Sequence, residues 1–176
     1  MLVTLLASAT KMKPSELKAH KLASKQLKET PVFKQQKRNR LPRPFKTLGG
    51  AKIESTGMLD VSDTHVAFMY WRNGQIFTDR EFYAFLFCRL ANGSISPVFE
   101  FHWHPSHKGF HCKTPCKTEE VYTDRILRNA PELSITTQHG LDPKNSDDRL
   151  KLVIEFCNAC GISLPDKDID SQRLWQ

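Results

Sequence analysis

No run of apolar residues in this 176-residue chain approaches the roughly 20 needed to cross a bilayer. Met1-Leu-Val-Thr-Leu-Leu-Ala-Ser-Ala-Thr10 is apolar but short and has no positive region before it, so a secretory signal is not expected. Met12, just ahead of a basic stretch, is an equally good start to Met1. Cysteine is sparse and odd in number: Cys88, Cys112, Cys116, Cys157 and Cys160 form no compact disulfide framework. Reduced thiols and a cytoplasmic location are therefore expected. There is no glycine-rich phosphate loop, no serine-nucleophile motif and no internal repeat. Apolar residues make up 39%, which is low for a chain packed throughout, so part of it is expected to lie outside the core.

Acidic residues are scarce at one end. Residues 1–47 hold 12 Lys or Arg against Glu16 and Glu29 alone, and the remaining 14 basic and 17 acidic residues follow. The whole formal charge of +7 thus belongs to the first 47 residues. A basic arm on a mildly acidic body is the electrostatic footprint of a polyanion partner, here nucleic acid, with RNA favoured over DNA and no membrane. The plainer reading is a solubilising tail. Pro14, Ser15 and Glu16 can start a helix that Pro31 ends, over residues 14–29, and Lys34 to Pro44 reads as an extended linker. The expected organisation is a basic, partly disordered arm and linker over 1–49, an α+β domain over 50–165 and a polar tail over 166–176.

Within the body, two Asn-Gly pairs mark turns, because this dipeptide accepts the positive φ angles of a type I′ hairpin. Asn73-Gly74 would separate a strand over His65–Trp71 from one over 75–78, and Asn92-Gly93 one over Glu81–Leu90 from one over Ile95–His104. The Phe-, Tyr- and Leu-rich run Glu81–Leu90 should be central, and a short strand is expected over 110–114. Ser146 as N-cap, an apolar repeat at Leu150, Val153, Ile154 and Cys157, and Gly161 as stop predict a helix over 146–160. At that spacing Cys157 and Cys160 read as core residues rather than half of a metal site. Residues 118–140 are ambiguous, with an extended piece near Leu133–Thr137. The fold class is α+β: an antiparallel β-meander of three to five strands with the C-terminal helix packed on one face.

Four of the seven histidines fall in Phe99-Glu-Phe-His-Trp-His-Pro-Ser-His-Lys-Gly-Phe-His-Cys-Lys-Thr-Pro-Cys116. Strand alternation puts Phe99, Phe101 and Trp103 on one face and Glu100, His102 and His104 on the other. If Asn92 and Gly93 are a two-residue loop, Ala91 faces Ser94 and Cys88 faces Pro97. Phe82 then faces Trp103, Leu86 faces Phe99, Tyr83 faces His102 and Glu81 faces His104. With Phe110 and Cys112 inward, His111 and Lys113 join the polar face. His102, His104, His111, Lys113, Glu100 and Tyr83 are thus candidate catalytic residues for metal-free RNA cleavage. One imidazole removes the 2′-hydroxyl proton, another protonates the leaving oxygen, and a lysine stabilises the phosphorane. Zinc is the competing reading, with ligands from His104, His107, His111, Cys112 and Cys116. A third is a set of surface histidines with no shared task.

The order strand, Asn-Gly turn, strand, then His-Trp-His-Pro-Ser-His-Lys-Gly-Phe-His resembles, over residues 65–114, small His-rich bacterial toxin-type proteins of toxin–antitoxin modules. That resemblance implies RNA cleavage, a protein partner such as an antitoxin, and roles for His102, His104, His107 and His111. The basic arm and the Cys112/Cys116 pair depart from the pattern. The expected function is a small RNA endonuclease needing no cofactor. The alternatives are a non-catalytic nucleic-acid-binding accessory protein, with or without zinc, and a protein-interaction module docking through its arm.

Overall fold

The computed structural model describes residues 13–35, 45, 52–105, 109–113, 121–123 and 140–165, with the backbone alone for 109–113 and 121–123. His107, Cys116, both candidate start methionines, residues 36–44 of the expected linker, Leu133–Thr137 and the tail from 166 lie outside the described residues. The chain runs α1 (Pro14–Leu22), β1 (Lys25–Gln26), β2 (Lys34–Gln35), β3 (Ile53–Asp60), β4 (His65–Arg72), β5 (Phe82–Arg89), β6 (Ile95–His104), β7 (Gly109–Lys113), β8 (Val121–Thr123), α2 (Ser146–Cys160) and β9 (Ile162–Ser163). Strands β2 to β8 form one antiparallel meander in sequence order, with β5 at its centre. A separate parallel pair joins β1 to β9. The α+β class, the meander and the C-terminal helix are as expected; the sheet extends to seven strands.

Alternation along β4, β5 and β6 feeds two apolar layers. On one face Ala67, Met69, Trp71, Phe82, Ala84, Leu86, Phe99, Phe101 and Trp103 pack with Leu152, Val153, Phe156 and Cys157 of α2. On the other, Phe68, Tyr70 and Phe87 are joined by Phe45, whose ring stacks on Phe68 at 4.1 Å between centroids. That second layer explains why β4 and β5 lack the polar alternation of a half-solvated sheet. Helix α2 spans the expected residues, but Asn145, not Ser146, is the N-cap, its side chain accepting from the backbone N–H of Asp147 and Asp148. Gly161 ends it in the left-handed region at φ 64°, as expected. Cys157 and Cys160 are buried in the core, and that burial pushes the Cys157 thiol up.

The basic segment departs from an appended arm. Leu17 and Leu27 are buried in the main core, and β2 pairs with β3. Helix α1 stops at Leu22, not 29, because Lys25 turns back and donates from Nζ to the carbonyls of His20, Lys21 and Ala23. These acceptors are orphan carbonyls at a helix C-terminus, where a cation is favoured.

Neither Asn-Gly pair makes a two-residue hairpin. After Asn73-Gly74 the chain forms no strand over 75–78 but a 3-10 turn at Phe77–Asp79. Arg80 holds this excursion, donating to the carbonyls of Gly74 and Gln75 and pairing with Asp142. Gly74 serves close approach here: a Cβ on it would collide with the Cβ and carbonyl of Asp79. At the second pair the loop is Ala91-Asn92-Gly93, closed by Leu90 N–H donating to the Ser94 carbonyl at 2.8 Å, with Gly93 at φ 79°. This is the three-residue loop with glycine in the left-handed position. Phe87, not Cys88, therefore faces Pro97, and Cys88 faces Ser96.

Candidate active site

The register that matters nevertheless survives. Between Leu86–Phe99 and Phe87–Pro97 the β5–β6 ladder slips by one residue, leaving Val98 as the extra residue of a bulge. The longer loop and the bulge offset each other, so beyond them Leu86 faces Phe99, Tyr83 faces His102 and Phe82 faces Trp103. Val98 and Phe99 are both buried in the main core, which is what holds the bulge in place.

On the second face this register gathers Glu81, Tyr83, Glu100, His102 and His104. His104 Nδ1 lies 3.2 Å from Glu81 Oε1, and the Tyr83 hydroxyl donates to Glu81 Oε2 at 2.8 Å. His102 Nε2 lies 3.5 Å from Glu100 Oε2. The Tyr83 ring touches both imidazoles edge-on, at 4.8 Å from His102 and 5.4 Å from His104, and the two imidazole centroids are 6.2 Å apart. Each imidazole therefore has its own carboxylate, with one tyrosine ring against both.

The patch is half-buried rather than open: the side chains of His102 and His104 keep 16% and 20% of their surface. Its neighbours are the aromatic layer, with Phe85 at 5.9 Å from His102 and Tyr70 stacked on Tyr83 at 4.7 Å. The hydrogen bond from His104 holds the Glu81 carboxylate below its usual range; burial opposes this and the Tyr83 hydroxyl assists it. Burial pushes both the Tyr83 and Tyr70 hydroxyls up, so Tyr83 stays a neutral donor. Arg72 Nε, 3.8 Å from Glu81 Oε2, adds a cation at the edge.

The β6–β7 ladder sets His111 opposite His102 and Lys113 opposite Glu100, which are positions of the polar row. Cys112 falls opposite Phe101, in the row of the core face. By ladder position the zinc set thus divides, with positions 104 and 111 in one row and 112 in the other. Among the described residues no three His, Cys, Asp or Glu side chains converge as a metal-ion ligand set would.

Two participants, Tyr70 and Arg72, carry no sequence signal, because the Asn73-Gly74 pair points to a hairpin with 75–78, whereas β4 pairs with β5 and Tyr70 faces Tyr83. Tyr70 and Trp71 are both buried, Trp71 in the layer under α2 and Tyr70 in the layer beside the patch. Also unforeseen is a polar cluster away from this patch, where His20 Nδ1 and His65 Nε2 lie 2.9 Å apart beside the buried Lys25. No helix of the described residues is long and apolar enough to cross a membrane. Comparison with protein-family models, with curated proteins and with solved structures finds no match for this chain.

Proposed function

We propose that this protein acts on nucleic acid as a small, metal-independent RNA endonuclease, with His102 and His104 as its proton-transfer groups. The observation that carries the reading is the pairing of two neighbouring imidazoles, each with its own carboxylate, on one face of the sheet. A carboxylate against one ring nitrogen helps to orient the imidazole for proton transfer. In the reaction one imidazole takes the 2′-hydroxyl proton as O2′ bonds to phosphorus. The other gives its proton to O5′ as the P–O5′ bond breaks, leaving a 2′,3′-cyclic phosphate and a 5′-hydroxyl. Lys113, opposite Glu100 in the ladder, and Arg72 are the cations nearest in register to this site and suit the phosphorane charge. The net charge of +7 favours a polyanionic substrate, and an acidic protein partner such as an antitoxin fits the same charge.

Alanine at His102 or at His104 should each lower the cleavage rate by about 10²–10⁴-fold, and the wild-type rate should be bell-shaped in pH. Rates within twofold of wild type for both variants would remove these residues from the mechanism. A second reading, a non-catalytic nucleic-acid-binding accessory module, draws on the half-burial of both imidazoles. Tight RNA binding by a folded protein that cleaves nothing is its signature.

A further inference from the structure

We propose that the His20–His65 pair is a proton-sensitive latch that docks α1 on the body and releases it on acidification. His20 sits in the last turn of α1, and His65 opens β4 just after the turn that follows β3. Their Nδ1 and Nε2 atoms approach to 2.9 Å. Two ring nitrogens this close hold one proton between them, one as N–H and the other as lone pair. His65 Nδ1 in turn lies 2.9 Å from Thr64 Oγ1 and 3.2 Å from Ser62 Oγ, so its second nitrogen is also committed. The contact tolerates one added proton, because an imidazolium can still donate to a neutral imidazole. It does not tolerate two, which would set N–H against N–H.

The surroundings oppose charge on this pair. From β1, Lys25 presents its ammonium, only 2% exposed and bonded to the carbonyls of His20, Lys21 and Ala23. From β5, Cys88 faces His65 in the ladder, and from α2, Cys160 lies within electrostatic reach of Lys25. Glu16, one turn back on α1, is the carboxylate that favours protonation of His20. Burial, then Lys25 and His20, push His65 down to about 4, and burial with Lys25 lowers His20 as well. Both imidazoles therefore bind protons less well docked than free. Docking is fully supported above the free-imidazole value of 6.5 and weakens as pH falls toward about 4. Beyond this pair, α1 is held by Leu17 in the core, by the Lys25 ammonium on its last carbonyls and by the close approach of Gly161 to the Lys21 carbonyl. Loss of the latch can thus free α1 while the sheet and α2 stay folded.

Hydrogen exchange on the full chain between pH 7 and pH 4, corrected for the chemical exchange rate, tests this. Protection over residues 13–24 should fall roughly tenfold or more between pH 6.5 and 4.5, while residues 146–160 keep theirs. His20→Gln, which keeps a hydrogen-bonding amide and removes the titration, should flatten that response. A histidine titration of the wild type by NMR should show His20 and His65 changing over the same interval. Loss of protection in both segments together, full protection of 13–24 down to pH 4, or a His20→Gln response matching wild type would each overturn the latch.

Discussion

Glu81 accepts from two groups of different character, the neutral Tyr83 hydroxyl and His104 Nδ1, and both bonds favour its ionised form. A carboxylate held low in this way contributes stability above the unfolded carboxylate range, lost as pH falls through the lowered folded value. Glu81→Gln should therefore cost about 1–2 kcal/mol at pH 7, read by urea denaturation, and clearly less near pH 3. An equal cost at both pH values would mean that the ionised carboxylate is not what holds the pair together. This cluster was legible in the sequence because strand alternation alone separates Glu100, His102 and His104 from Phe99, Phe101 and Trp103. The His20–Lys25–His65 cluster was not. Lys25 sits in a run of charges that reads as solvated, and its burial follows from the helix end it caps, not from its neighbours in sequence.

Elements were legible where one local signal decides them and obscure where two compete. The helix over 146–160 has an apolar stripe, acidic residues in its first turn and Gly161 beyond its end, and these agree. Asn145 supplies the capping oxygen, so Asn145→Ala should destabilise the fold by about 1 kcal/mol, and Ser146→Ala by a few tenths at most. Thermal or urea unfolding of the two variants checks the assignment; the reverse order would restore Ser146 as the cap. Gly161→Ala should cost more, about 1–3 kcal/mol: its φ of 64° disfavours a side chain, and a Cβ would collide with the Lys21 carbonyl oxygen. That loss should include α1, since the clash is with its last turn. The β5–β6 hairpin shows the competing case. Asn-Gly suits both a two-residue loop and the second half of a three-residue loop, and a bulge at Val98 has no composition signal of its own. The pairing of Tyr83 with His102 was reached from the sequence only because these two offsets cancel.

For the whole molecule, charge and core are interleaved rather than divided at residue 49. Lys18, Lys28 and Lys34 are exposed, whereas Leu17, Lys25 and Leu27, from the same stretch, are buried. Composition could locate the charge, but it could not show that the segment bearing it also closes the core. Removing the segment would therefore confound binding with unfolding, and neutralising exposed lysines is the cleaner perturbation. Glutamine at Lys18, Lys28 and Lys34 should leave the fold intact and weaken RNA binding. On a single strand the salt slope should fall by about 0.7 for each phosphate that these lysines no longer neutralise. An unchanged slope would take them out of the binding surface. The proposed function rests on cleavage by two imidazoles at a 2′-hydroxyl. The most direct measurement is wild-type cleavage, in excess chelator, of a single-stranded RNA and of the same strand with deoxyribose throughout. The expected result is cleavage of the RNA to 2′,3′-cyclic phosphate ends with the deoxy strand left intact. Loss of RNA cleavage on chelation, or equal cleavage of both strands, would contradict it.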